Sequence, residues 1–151
     1  MNDYYRIYMP CELGGKPAVR KLIVEDTNSM FAEDLAFIKS EVAHASSTVN
    51  DQGAVQAAVV FTHHAPTETG SSDPAYDKSP VRSAFATPLD YMFDNGTEQY
   101  RSLRLWGFGH THWSADQKIK DVRVVANQHG YKGEAVGAHV PAFQPGFSVV
   151  I

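Results

Sequence analysis

The sequence predicts an α/β fold in which helices flank a largely buried sheet. Short apolar runs alternate with segments of helical periodicity along the 151 residues, an order typical of layered α/β domains. Hydrophobic residues make up 43% of the chain and charged residues 20%, which indicates a soluble folded protein rather than a disordered one. A chain of this length favours a single domain, 1–151, or a piece of one.

One amphipathic helix is predicted after a cap at Thr27 or Asn28, whose side-chain oxygens can accept a free backbone N–H. Apolar residues then recur at steps of four and three, which places them on one face. These residues are Phe31, Leu35, Ile38, Val42 and Ala45. A second, shorter helical pattern covers 83–93, although Pro88 must cap or kink it.

Strands are predicted from short apolar runs. The runs 56–62 and 103–108 are too short for helices and are continuously apolar or nearly so, which is typical of buried strands with both faces covered. Other strands are predicted at 6–9, 22–24, 122–126 and 147–151. The stretches 65–80 and 133–146 are predicted loops, and a loop as long as the first is usually functional or mobile.

Histidines follow both predicted buried strands. His63 and His64 end the first, and His110 and His112 follow the second. Residues i and i+2 of an extended segment point the same way, so we expect the last two imidazoles to face one pocket, next to the first pair. One histidine at a strand end is usually a surface or core residue, but two such motifs favour a metal site, because neutral imidazole is a common metal ligand.

Charge and cysteine content argue against several other classes of protein. Thirteen Lys+Arg against seventeen Asp+Glu, with no basic stripe, argue against binding to a nucleic-acid backbone. The longest apolar run, 57–61, is too short to span a bilayer, and no apolar signal core opens the chain. The single cysteine, Cys11, excludes an internal disulfide, fits a reducing, cytoplasmic compartment and argues against a closed structural zinc site.

The ordered set of motifs resembles the calcineurin-like metallophosphoesterases. Gly-His-Thr-His at 109–112 looks like the Gly-His-x-His motif of that superfamily, and Thr-His-His-Ala-Pro at 62–66 looks like the histidine motif that precedes it. Four further stretches are similar to ones common in a microbial and fungal subgroup. They are 22–28, 32–35, 83–87 and 127–131. The resemblance therefore runs from about residue 22 to the end of the chain.

This resemblance implies a four-layer αββα sandwich with a mixed sheet and flanking helices, and hydrolysis of phosphate mono- or diesters. It also implies two divalent ions, Mn, Fe or Zn, about 3.5–4 Å apart. Carried onto this chain, His63 and His110 bind one ion and His112 binds the other. His64, the catalytic histidine, lies either just outside the metal ligands or near the leaving group, and the choice between His63 and His64 as the ligand stays open.

Three of the five motifs of that superfamily do not occur in this sequence. It contains no Asp-x-His, no Gly-Asp and no Asn-His, so the bridging aspartate and the asparagine ligand are missing. We therefore expect the C-terminal part of such a domain, with at most one weakly held ion and little turnover on its own. The alternative is a non-catalytic remnant or split half that binds a partner chain, either the missing N-terminal half or a second copy, through an uncovered sheet.

Overall fold

The computed structural model describes residues 3–131 and 143–151, and the chain divides into two compact units, Met1–Ser40 and Glu41–Ile151. The first unit contains a short helix, α1 (Asp3–Arg6), and two antiparallel strands, β1 (Tyr8–Leu13) and β2 (Lys16–Lys21). A long helix, α2 (Val24–Ser47), begins in the first unit and ends in the second. The strand predicted at 22–24 is wrong, because residue 24 is the first residue of α2.

The hairpin β1–β2 replaces the loop expected after residue 9. Gly14 and Gly15 have φ values of +59° and +74°, the left-handed conformation that a two-residue hairpin turn of type I′ requires at both positions. Helix α2 begins before the predicted cap, and the carboxylate of Asp26 accepts a hydrogen bond from the backbone N–H of Ile23 at 3.0 Å. The carboxylate therefore accepts a hydrogen bond from a backbone N–H just before the helix, where such groups have no partner within the helix.

The second unit is built on a mixed four-stranded sheet. Its strands are β3 (Ala58–Phe61), β4 (Leu103–Gly107), β5 (Ala115–Ile119) and β6 (Val122–Ala126), in the order β3-β4-β6-β5. The pairs β3–β4 and β4–β6 are parallel, whereas β5 and β6 form an antiparallel hairpin. The prediction of an α/β chain with a mixed sheet is confirmed at this level. Strand β5 was not predicted, because its sequence is mostly polar.

The core of the second unit lies on β4, β6 and the segment that precedes β4. Trp106 and Phe93 are fully buried, with ring centroids 6.0 Å apart in an edge-to-face arrangement. The helix predicted over 83–93 is replaced by two 3-10 turns, Arg82–Ala84 and Asp90–Phe93. Pro88 lies between them, and its lack of an N–H is incompatible with a continuous α-helix.

The C-terminal end of α2 is bound to the start of β4 by buried serines. The hydroxyl of Ser102 donates to the carbonyl of Val42 at 2.9 Å, and it also lies 2.9 Å from the hydroxyl of Ser46. Arg101 Nε donates to the carbonyl of Ser46 at 2.9 Å. This end of the helix buries Val42 and Ser46.

Two further strand predictions need correction. β3 is not covered on both faces, because Val59 and Phe61, which point to the same face, are 38% and 76% exposed. Residues 147–151 form no strand. Most of the loop predicted over 133–146 lies outside the described residues. Within the described ranges, no helix combines the length and the apolar character that crossing a membrane requires.

Candidate metal centre

Parallel pairing brings the two histidine motifs to the same edge of the sheet. Phe61 is the register partner of Gly107, so β3 and β4 end side by side. Two backbone hydrogen bonds continue the contact beyond the strands, from Thr62 N to the Gly107 carbonyl and from Gly109 N to the His63 carbonyl, both 3.0 Å long. The carboxyl edge of parallel strands is where α/β sheets place ligand sites.

Three imidazoles meet at this edge. Nδ1 of His110 lies 2.9 Å from Nε2 of His63, and the His64 ring centroid lies 4.5 Å from that of His110. One nitrogen from each of the three rings can be chosen so that all lie within 4.8 Å of one another. Two nitrogens bound to one tetrahedral ion at about 2.0–2.1 Å are about 3.3 Å apart, so the nitrogens of His63, His64 and His110 lie near the separation that a shared ion requires.

A chain of hydrogen bonds runs from the core to His64. The buried indole of Trp106 donates from Nε1 to the hydroxyl of Thr62 at 2.9 Å, and that hydroxyl donates to the carbonyl of His64 at 2.7 Å. Trp106 has no exposed surface. The backbone of the exposed histidine is therefore held by a side chain in the centre of the core.

His112 lies apart from the three-histidine cluster. Its ring packs edge-to-face on Tyr131, with centroids 4.5 Å apart. The extended geometry predicted for 110–112 is wrong, because φ is +69° at His110 and +53° at His112. Left-handed non-glycine residues cost about 1–3 kcal/mol each and concentrate at functional sites. Both rings nevertheless line one cavity.

Gln128 holds the segment that contains His112. Its Oε1 accepts from the backbone N–H of His112 at 2.8 Å, and its Nε2 lies 2.9 Å from both the hydroxyl of Thr111 and the carbonyl of Trp113. The sequence prediction assigned no separate role to this residue. The available signal was its position two residues after β6, at the same strand edge as the histidines.

A cavity of about 650 Å³ adjoins the cluster, a size common for small-molecule sites. Its wall includes His63, His110 and His112 on one side. The rest of the described wall comes mainly from the long stretch that precedes Pro88 and combines aromatic and apolar side chains with Ser72, Ser79, Arg82 and Thr111. The aromatic and apolar residues include Tyr76, Val81 and Phe85, together with Tyr131 from the segment after β6. The predicted loop 65–80 thus contributes directly to a site.

Arg82 is the permanent cation of the cavity wall. Its Nη1 and Nη2 donate at 2.9 Å to the carbonyls of Asp77 and Glu68, and Nη2 lies 3.4 Å from the Glu68 carboxylate. Its Nε is buried and has no hydrogen-bond partner among the described residues. No carboxylate side chain belongs to the described wall. The Glu68 carboxylate offsets part of the Arg82 charge, so the described wall carries little net charge.

Comparisons with known proteins return one similarity of note. The chain is 23% identical over 140 residues to "Uncharacterized protein L509" of Acanthamoeba polyphaga mimivirus, in an alignment that covers 89% of this chain and 43% of that protein. The chain therefore spans less than half the length of this curated relative. No protein-family model matches the sequence. No solved structure matches it either.

Proposed function

We propose that this chain supplies the histidine part of a metal-dependent phosphoesterase centre that hydrolyses phosphate mono- or diesters. The observation that carries the proposal is the cluster of His63, His64 and His110 at the carboxyl ends of β3 and β4. Three histidines form a known ligand set for a catalytic zinc ion with an open coordination position. The motifs around this cluster are also those that carry the resemblance to calcineurin-like metallophosphoesterases.

In this proposal His63 and His110 hold the ion, and His64 either completes the ligand set or faces the leaving group. A bound divalent ion polarises a phosphoryl oxygen and makes a bound water acidic enough to attack near neutral pH. Thr62 and the Gly109–His63 backbone contact keep the two histidine motifs in register. Arg82, which is paired with Glu68, lies on the wall of the cavity that the phosphoester enters.

The described residues supply histidines but no carboxylate to the cluster. A two-ion centre needs bridging and terminal oxygen ligands, which offset the charge of the cations and set their spacing. We therefore propose one weakly held ion for this chain alone. His112, on the wall of the same cavity, is the proposed ligand of a second ion when carboxylates are supplied from another segment or chain.

A second candidate is binding to a partner chain through the sheet. The specific observation is the apolar, exposed surface of β3 at the end of the described strand order, where Phe61 is 76% exposed and Val59 38% exposed. Such an edge can pair with a strand from another chain. Light scattering that shows a monomer at all concentrations, with no dependence on Phe61→Ser, would contradict self-association through this strand.

Calorimetric titration with Zn²⁺ or Mn²⁺ tests the metal proposal. We expect binding by the wild-type chain, loss of binding in His110→Ala and His63→Ala, and no loss in His44→Ala, whose histidine is exposed near the end of α2. Binding should also weaken in acid, because protons compete with the ion for the ligating nitrogens. If His110→Ala binds the ion as tightly as wild type, the cluster is not the metal centre.

A further inference from the structure

The side chains that line the cavity beside the histidine cluster indicate which organic group of a phosphoester fits there. We infer that the phosphoester taken by this site is an aryl ester, with a flat aromatic ring directly on the ester oxygen. This inference rests on the proposed function, because the cluster must hold the phosphate for the cavity to receive its substituent. It goes beyond that function by naming the substrate class.

The aromatic wall begins at the cluster itself. The ring of Phe85 lies with its centroid 4.9 Å from that of His110, at an interplanar angle of 31°. Further along the wall, Tyr131 packs on His112 with centroids 4.5 Å apart. A phosphate at the cluster therefore has the ring of Phe85 beside it, and aromatic rings associate with one another at centroid distances of about 4.5–7 Å.

The rest of the cavity favours the same kind of group. Val81 and Tyr76 also line the cavity, and both side chains are exposed. The nearest charged side chain of the wall is Arg82, whose guanidinium can lie against an aromatic ring and attract its π face. No described carboxylate lines the cavity to repel a phosphoester anion.

The position of the aromatic wall distinguishes an aryl ester from a nucleotide. In an aryl ester the ring follows the ester oxygen directly, so the ring lies next to the phosphate, as Phe85 lies next to His110. In a nucleoside monophosphate a ribose separates the base from the phosphate. The ring of Phe85 contacts His110, so the group next to the phosphate meets an aromatic face, and we favour the aryl ester, although Ser72, Ser79 and Thr111 add hydroxyl groups elsewhere on the described wall.

Binding measurements on the whole chain test this inference without requiring turnover. The probes are phenyl phosphate, methyl phosphate, adenosine monophosphate and inorganic phosphate, each titrated by calorimetry with and without Zn²⁺. We expect phenyl phosphate to bind about tenfold or more tightly than methyl phosphate in the presence of Zn²⁺, because its ring buries apolar surface on the wall. In Phe85→Ala the ratio of the two dissociation constants should fall toward one.

The control is Tyr91→Ala, which removes an exposed aromatic residue outside the cavity wall and should keep the wild-type ratio. Equal binding of phenyl and methyl phosphate by the wild-type chain overturns the inference, even if no variant folds. Tighter binding of adenosine monophosphate than of phenyl phosphate also overturns it, in favour of a nucleotide. If Zn²⁺ has no effect on inorganic phosphate, the proposed function itself fails, which is a different result from the first two.

Discussion

Gln128 has a structural role at the site that the sequence pattern did not predict. Gln128 contacts three consecutive residues, 111–113, through both atoms of its amide. His112, in the middle of that segment, has a left-handed φ of +53°. A side chain that accepts from one backbone group and donates to its neighbours stabilises such a conformation, because the alternative extended geometry would break these bonds. Gln128 is thus a positioning residue for His112.

Replacement of Gln128 tests this role. We expect Gln128→Ala to lower the free energy of unfolding by about 1–3 kcal/mol, because part-buried backbone groups lose their partners. Gln128→Glu keeps an acceptor for the N–H of His112 but loses the donor to the Trp113 carbonyl, so it should also destabilise. Urea unfolding is the measurement, with the exposed Gln52→Ala as the control. Equal midpoints for wild type and Gln128→Ala would contradict the role.

At the scale of elements, the first unit joins its hairpin to the start of α2 through an ion pair. Both guanidinium nitrogens of Arg20, on β2, bond to the carboxylate of Asp26, with Nη2–Oδ1 at 2.6 Å. The Arg20 guanidinium, followed by the Ile23 N–H, lowers the pKa of the Asp26 carboxyl from its usual 3.8 to about 2. Bidentate pairs of this kind restrict geometry as well as contributing energy.

This pKa predicts how the stability depends on pH. A carboxyl with a lowered pKa in the folded state contributes stability that is complete above about pH 4 and is lost as the pH falls toward 2. The difference in unfolding free energy between wild type and Asp26→Asn should therefore shrink over that window. Denaturant unfolding at several pH values measures it, with the exposed Asp34→Asn as the control. If the difference in unfolding free energy between wild type and Asp26→Asn stays constant down to pH 2, the Arg20–Asp26 ion pair is not its source.

The junction between α2 and β4 depends on a buried hydroxyl. Ser102 is fully buried and donates to the carbonyl of Val42, while its backbone N–H donates to the hydroxyl of Ser46 at 3.1 Å. We expect Ser102→Ala to cost about 1–3 kcal/mol of unfolding free energy, because a buried carbonyl loses its donor. Thermal unfolding measures this cost, and Ser40→Ala on the exposed side of α2 serves as the control. A matching loss in the control would mean that the effect is not specific to the junction.

At the scale of the whole chain, the number and type of metal ligands predict its hydrolytic activity. The described cluster offers three imidazoles and no carboxylate, so a two-ion centre lacks the groups that offset its charge and set its spacing. We expect no metal-dependent hydrolysis of bis-p-nitrophenyl phosphate above background by this chain with Mn²⁺, even when calorimetry detects ion binding. Circular dichroism on the same sample confirms that the chain is folded.

The contrary outcome is specific. Metal-dependent turnover that disappears in His110→Ala but persists in His44→Ala would show that these residues assemble an active site without further segments. Concentration dependence of that turnover would then separate a second copy of the chain from a self-sufficient monomer. The rate per chain rises with concentration in the first case and stays constant in the second.

Local patterns in the sequence were sufficient for several elements. The apolar runs around Leu105 and Val124 form β4 and β6, and a continuous apolar run predicts a central parallel strand because both of its faces are buried. The positions of His63 and His110 after two such strands predicted their meeting, because parallel strands end at one edge. These features depend on neighbours in the sequence and on one general rule of sheet geometry.

The tertiary structure decided the rest. Polar β5 is a strand only because it pairs with β6, and Phe61 is exposed because no described element covers that face of β3. His112 lies outside the cluster of His63, His64 and His110, and its backbone is left-handed and bonded to the amide of Gln128. The cavity wall comes from residues distant in sequence. Such choices follow from long-range contacts, which hydrophobic periodicity does not encode.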